Sequence, residues 1–239
     1  MKFHVQLLAT ALAATITSVS HATSLGFGQI GGSNTGIPTN FGSNASADGS
    51  GFVVSGDATP NVSLTWDSEW DVHTSSWFND LENKTVGGGD WDNEGGANRI
   101  AQLDSSSHSI TFDVDSGFAL VLNSFDFGHT AESTGVTTWD VALTDSADNT
   151  VWSQFLTLDN SSVETSILTI TPDFVGLLGE SYTLSFNLQS ESYGSNGRHG
   201  IDNLNFSQTS VIPEPSTVAA IMGLCVLVPL LRRRQQQAN

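Results

Sequence analysis

Tyr182-Thr183-Leu184-Ser185-Phe186-Asn187-Leu188-Gln189 alternates apolar and polar residues without a break. A period of two puts Tyr182, Leu184, Phe186 and Leu188 on one face of an extended strand and the polar residues on the other. The same period recurs upstream. Ile110, Phe112 and Val114 alternate with Thr111 and Asp113, and Asp115-Ser116-Gly117 then turns the chain. Phe118, Leu120 and Leu122 follow, with Phe125 and Phe127 beyond them. Trp139, Val141 and Leu143 alternate next, Asp145 to Asn149 is a turn, and Val151 to Leu158 reads as the returning arm of a hairpin. Ser166 to Thr171 is a further strand, and Ile201 to Phe206 closes the series. Seven or more short strands joined by turn residues, with no helical period, predict an all-β domain built as an antiparallel β-sandwich. Phe174 to Leu178 is the one stretch that could form a single helical turn.

Upstream of these strands the pattern loosens. Thr23 to Gly56 is rich in Gly, Ser, Asn and Thr, with isolated apolar residues at Phe27, Ile30, Ile37, Phe41 and Phe52. It reads as loop-dominated through about residue 60, with one or two short edge strands. Both ends of the chain lie outside the domain. Lys2 followed by the apolar run Val5 to Ile16, with small residues at Ser20 and Ala22, reads as a secretory signal peptide spanning residues 1–22. The apolar run is too short to span a bilayer core of roughly 30 Å as a permanent anchor.

The body between, residues 23–211, is long enough for one domain with a core of its own. It carries three basic residues, Lys84, Arg99 and Arg198, against 24 acidic ones, a net charge of −21. Such a surface has no basic patch to release counterions, so nucleic acid is excluded as a partner. Cys225, the one cysteine, lies in the C-terminal tail, so no disulfide staples the body.

Residues 212–239 form the second excluded segment. Pro213-Glu214-Pro215-Ser216 cannot continue a ladder or a helix and reads as an extended tether. Thr217 to Leu231 is uncharged and mostly apolar. As a helix its fifteen residues are about 23 Å long, marginally short for a bilayer. Arg232, Arg233 and Arg234 follow directly and stay on the cytoplasmic side. Tether, short apolar helix and arginine cluster in this order resemble the PEP-CTERM sorting signal of Gram-negative bacterial proteins. The resemblance covers Ile212 to Arg234. It implies recognition at Pro213, Glu214 and Pro215 by an exosortase-type processing enzyme, transient anchoring in the inner membrane, and a body displayed at the cell surface or released. Such proteins often accompany exopolysaccharide. A plain stop-transfer anchor is the alternative reading of the same residues.

Within the body, Asp90-Trp91-Asp92-Asn93-Glu94-Gly95 places oxygens at alternate positions with a glycine at the sixth, as in the first half of an EF-hand loop. The twelfth position is Ala101, so the match is incomplete. Asp90, Asp92 and Glu94, with Asp104 as an extra ligand, are candidates for Ca2+, against a solvated acidic turn. The closing strand HGIDNLNF, with Ser109 to Phe127 and the Trp139 to Leu158 hairpin, resembles the galactose-binding-like jelly roll common among carbohydrate-binding modules. That resemblance implies a jelly-roll sandwich and makes Asp202 a candidate for a structural Ca2+.

Trp66, Trp70 and Trp77 lie among Asp, Glu and Ser. An aromatic face beside hydrogen-bonding groups suits a sugar ring, so these three are candidate glycan contacts; core packing is the alternative. Glu69 with Asp71 or Glu94 could form a glycosidase pair, though 24 body carboxylates make some such pair inevitable. His73, His108, His129 and His199 lack metal-ligand spacing. No nucleophile elbow or phosphate-binding loop is present. The sequence therefore predicts an exported, non-enzymatic surface or matrix protein associated with exopolysaccharide, with a secreted glycan hydrolase or a ligand-free structural protein as alternatives.

Overall fold

The computed structural model describes residues 22–27, 30, 35–44, 53–55, 59–73, 100–103, 107–129, 136–159, 167–191 and 199–210. The expected signal peptide, the expected sorting signal with Pro213, Glu214, Pro215, Arg232, Arg233 and Arg234, and the candidates Trp77, Asp90, Asp92, Glu94 and Asp104 lie outside them. Among the described residues every regular element is a strand, and all pairing is antiparallel. The predicted all-β sandwich is what the chain forms.

Two sheets make the sandwich. The five-stranded sheet runs β10 (Thr150–Asp159), β9 (Val136–Asp145), β13 (Tyr182–Glu191), β7 (Ser107–Val114), β4 (Val62–Trp66). The larger sheet runs β11 (Ile167–Ile170), β8 (Phe118–His129), β14 (His199–Ser210), β6 (Ile100–Leu103), β5 (Trp70–His73), β2 (Thr35–Gly36). Three short strands complete it. β1 (Thr23–Leu25) joins β14 to β3 (Val53–Ser55), and β12 (Phe174–Val175) lies along β8.

The period of two read in the sequence is the period of burial. Leu184 and Phe186 are fully buried and Tyr182 nearly so, facing Phe112 and Ile110 on one neighbour and Val141 and Leu143 on the other. In β8 and β14 the phase of burial changes within the strand. Leu120 and Leu122 are buried at even positions, Phe125 and Phe127 at odd ones. The ladder between β8 and β14 shifts register between Asp202 and Asn205 and again before Phe206, so both strands keep their large residues inward across a shared bulge. Asn203 at the bulge has a φ of 49°.

Two expectations change. Phe174 to Leu178 is not a helical turn: Phe174 and Val175 pair with Leu122 and Val121 of β8, and Gly176 donates its N–H to Leu120 O. A β edge with unpaired backbone groups was available there, and pairing satisfies them. The stretch from Thr23 is also more than edge and loop. β1 is paired on both sides, and Phe27, Ile30, Ile37 and Phe41 all reach the core. Gly42 makes that possible. Its φ of 77° suits glycine, and a Cβ there would sit 2.3 Å from Leu25 Cδ1.

Trp66 and Trp70 are core residues, each 1% exposed, and this corrects their assignment as glycan contacts. Trp66 donates Nε1–H to Phe41 O at 2.8 Å and packs edge-on against Trp70 and Phe27, with centroids 5.1 and 5.7 Å away. Trp70 donates Nε1–H to Ser109 O at 2.9 Å. Neither ring has a free face for a sugar. Asp67, Ser68 and Glu69 of TWDSEWD form the turn between β4 and β5, where Asp67 Oδ1 accepts from the N–H of Glu69. Trp66→Ala should therefore lower the urea unfolding free energy by about 3–5 kcal/mol, the usual cost of emptying a large buried aromatic site. A loss below about 1 kcal/mol would contradict its place in the core.

The hairpin turn between β9 and β10 is held by one carboxylate. Asp145 Oδ1 accepts from the N–H groups of Asn149 and Ala147, and Asn149 Nδ2 bonds both of its oxygens at 3.0–3.1 Å. The Asn149 side chain first, then its backbone N–H, hold the Asp145 carboxyl below its ordinary value of 3.8. A depressed folded value stabilises the hairpin above pH 3.8, and that contribution is lost as the pH falls through the folded value. A carboxyl-detected NMR titration should place Asp145 below 3.8, and Asn149→Ala should move it upward. No movement would contradict this turn geometry.

Candidate functional site

The two faces of the five-stranded sheet differ in kind. Inward it presents Trp66, Ile110, Phe112, Leu184, Phe186, Val141 and Leu143, all buried. Outward it presents small polar side chains in cross-strand rows. Thr65, Thr111, Thr183, Thr144 and Thr150 are successive partners across all five strands. Thr111 and Thr183 hydrogen-bond through their hydroxyls at 3.1 Å. The next row is Ser109, Ser185, Ala142 and Ser153. Side chains this small leave a low surface on which nothing projects.

One row differs. Ser107, Asn187, Asp140 and Phe155 are successive partners on β7, β13, β9 and β10. Four strands at a spacing of about 4.8 Å make this row about 14 Å long. Phe155 stands at its end, on the edge strand, 61% exposed. Its neighbours Leu156 and Leu158 are buried, so the strand's alternation fixes the phenyl ring outward. Ser107 donates its hydroxyl to Asn187 Oδ1 at 2.9 Å, which leaves the Asn187 amide to donate to something else. Asp140 is exposed and supplies acceptors. An aromatic face at one end and a line of hydroxyl, amide and carboxylate groups beside it form a surface able to stack on a sugar ring and bond its hydroxyls.

Sequence reading passed over Phe155. The signal was available: in Trp152-Ser153-Gln154-Phe155-Leu156-Thr157-Leu158, Phe155 is out of phase with the leucines, so a core-facing Leu156 requires an outward Phe155.

Asp202 lies within β14 rather than at a strand start, and it is 4% exposed. Directly across the ladder is a second buried carboxylate, Asp126 of β8, 7% exposed. Asp126 accepts from Thr169 Oγ1 at 2.7 Å and Asn203 Nδ2 at 2.9 Å, and Asp202 accepts from the N–H of Asn203 at 2.8 Å. Two facing carboxylates could contribute oxygens to a hard cation. Among the described residues no group of three or more His, Cys, Asp or Glu side chains comes together to hold a metal ion.

Of the remaining candidates, Glu69 is exposed in the turn before β5 and Asp71 is half-buried on β5. His108 and His199 are buried. His199 Nε2 lies 3.0 Å from Thr137 Oγ1, and His108 packs against Trp70 with its Nδ1 3.8 Å from Asp67 Oδ1. The His199 contact is buried in the sandwich, whereas Asp67 is 29% exposed and also accepts from Ser109 Oγ at 3.2 Å.

No family model matches the chain, and no curated protein matches it. Similar solved structures include TmCBM61 in complex with β-1,4-galactotriose, at 15% identity and a TM-score of 0.29, covering 62% of this chain and 88% of that one. Another is a family 11 carbohydrate-binding module from Clostridium thermocellum in complex with a β-1,3-1,4-mixed-linked tetrasaccharide, at 11% identity and a TM-score of 0.28, covering 80% and 97%. The arabinose-bound MgGH51 α-L-arabinofuranosidase is similar at 10% identity and a TM-score of 0.34, over 78% of this chain but 26% of that one. Similarity at this level assigns neither family nor ligand to this chain.

Proposed function

We propose that the chain is an exported surface or matrix protein, transiently anchored in the membrane through its tail, whose body binds glycan on the outer face of its five-stranded sheet, without turning it over. The observation that carries this reading is the row from Ser107 through Asn187 and Asp140 to Phe155, which pairs an exposed aromatic ring with hydrogen-bonding groups on a low polar surface. The Phe155 ring is 61% exposed on an edge strand, where its face is open to a stacking partner. The signal segment and the tail supply export and tethering; the sorting signal adds removal of the tail by an exosortase-type enzyme.

Charge narrows the ligand. Lys84, Arg99 and Arg198 are the only cations of the body, and none lies among the described residues. A body of net charge −21 repels uronate-rich and sulfated polymers. The ligand is therefore a glycan without acidic groups, within or beside an exopolysaccharide.

A microarray of neutral, uronate-containing and sulfated glycans tests both parts. Binding to neutral glycans should fall about tenfold or more in Phe155→Ala, a loss of about 1.4 kcal/mol. The same variant should unfold within about 0.5 kcal/mol of the parent, because the ring is on the surface. Binding unchanged in Phe155→Ala would remove this face as the site.

A further inference from the structure

One end of the sandwich carries most of its exposed apolar side chains. Among the described residues six large apolar side chains are exposed, and four of them, Val151, Val175, Leu177 and Leu178, gather there. Val175, Leu177 and Leu178 are 62%, 72% and 48% exposed. With Val151, Phe174 and Tyr182, Val175 and Leu177 line a cleft of about 450 Å3. Exposed apolar groups gathered in one patch mark a contact surface, whereas scattered ones do not.

The segment that presents them is held in place. Gly176 and Gly179 donate their N–H groups to Leu120 O and Phe118 O of β8, at 2.8 and 2.7 Å. Leu177 donates its N–H to Tyr182 Oη at 2.7 Å. Any side chain at position 176 would strike the Tyr182 ring, 2.5 Å from the Cβ site. The leucines are thus fixed outward by bonds on both sides of them.

The same end is where the chain leaves the body. Ser210, the last residue of β14, pairs with Phe118 on one side of β8, and Gly179 bonds Phe118 on the other. Two strand spacings, about 10 Å, separate the exit from the patch. Beyond Ser210, six residues precede the apolar run that begins at Thr217. Six residues reach at most about 20 Å. A chain anchored through Thr217 to Leu231 therefore keeps this end of the body against the bilayer.

We infer that Val175, Leu177 and Leu178 are a second, interfacial contact with the lipid surface, which seats the tethered body end-on. The inference rests on the tail acting as a membrane anchor. A lipid surface fits better than a second copy of this chain, because the patch is flanked by Asp145, Asp148, Asp173 and Glu180 with no Lys or Arg among the described residues. Two such ends repel each other. The same charges favour zwitterionic over anionic headgroups. Seated this way, the five-stranded sheet stands upright from the membrane, and the Phe155 row faces sideways into the surrounding matrix.

The test uses the full chain with Cys225→Ala, carrying a single cysteine by Leu178→Cys or, as the far-end control, Val136→Cys. Ten residues of β9 place Val136 about 30 Å from the hairpin turn at the patch end. Each is labelled with an environment-sensitive fluorophore and reconstituted in phosphatidylcholine vesicles containing a nitroxide-bearing lipid. The label at 178 should shift to the blue and be quenched several-fold more than the label at 136. Equal emission and quenching at the two positions overturns the inference, as does shielding at 178 without lipid quenching. A chain that fails to float with the vesicles defeats the anchoring reading itself, and the two failures are told apart by that flotation. Val175→Cys repeats the measurement should Leu178→Cys fold poorly.

Discussion

Trp70 joins the two sheets. It stands on β5 of the larger sheet and packs edge-on against Trp66 of β4 at 5.1 Å and Phe186 of β13 at 5.7 Å, both in the smaller one. From Phe186 the rings continue to Phe125 and Phe127 across the interface, and Phe127 meets Trp139. From Trp66 they continue to Phe27 and Phe41. The body has no cysteine, so no disulfide holds the sheets together. This chain of edge-to-face and stacked rings, worth more than its area alone, does so instead. Its weight explains why Trp66 and Trp70 cannot serve the surface.

A core so committed fixes what the outer faces can be. Every strand of the five-stranded sheet spends alternate residues on the aromatic interior, and the residues between are left to water. Those are mostly Thr and Ser, which tolerate the pleat and keep the surface low. Phe155 breaks that rule on an edge strand. The patch of Val175, Leu177 and Leu178 breaks it again at the end where the tail departs. These apolar groups, one on a face and one at an end, are the surfaces assigned above to the proposed glycan contact and the proposed lipid contact.

Much of this was legible beforehand. Strands such as Tyr182 to Leu188 state their inward face by alternation alone, and Asp115 to Gly117 and Asp145 to Asn149 state their turns by residue type. The bulge shared by β8 and β14 was not legible, because it depends on two strands 75 or more residues apart shifting phase together. The pairing of Asp126 with Asp202 is invisible for the same reason. Phe174 to Leu178 misled because five residues carry too short a period to separate a helical turn from a paired edge. The tryptophans misled differently: Trp66 and Trp70 sit among polar residues in the chain, yet those polar residues form the turn that lets both rings point inward. Local polarity reported on the turn, not on the rings.

NMR chemical-shift mapping tests whether the outer face of the five-stranded sheet is the ligand surface. A neutral oligosaccharide that binds on the microarray is titrated into the isotope-labelled protein while backbone amides are followed. The shifts should concentrate on Ser107, Asp140, Phe155 and Asn187 and their neighbours on β7, β9, β10 and β13. Shifts concentrated on the larger sheet, or on residues 74–99, would contradict it.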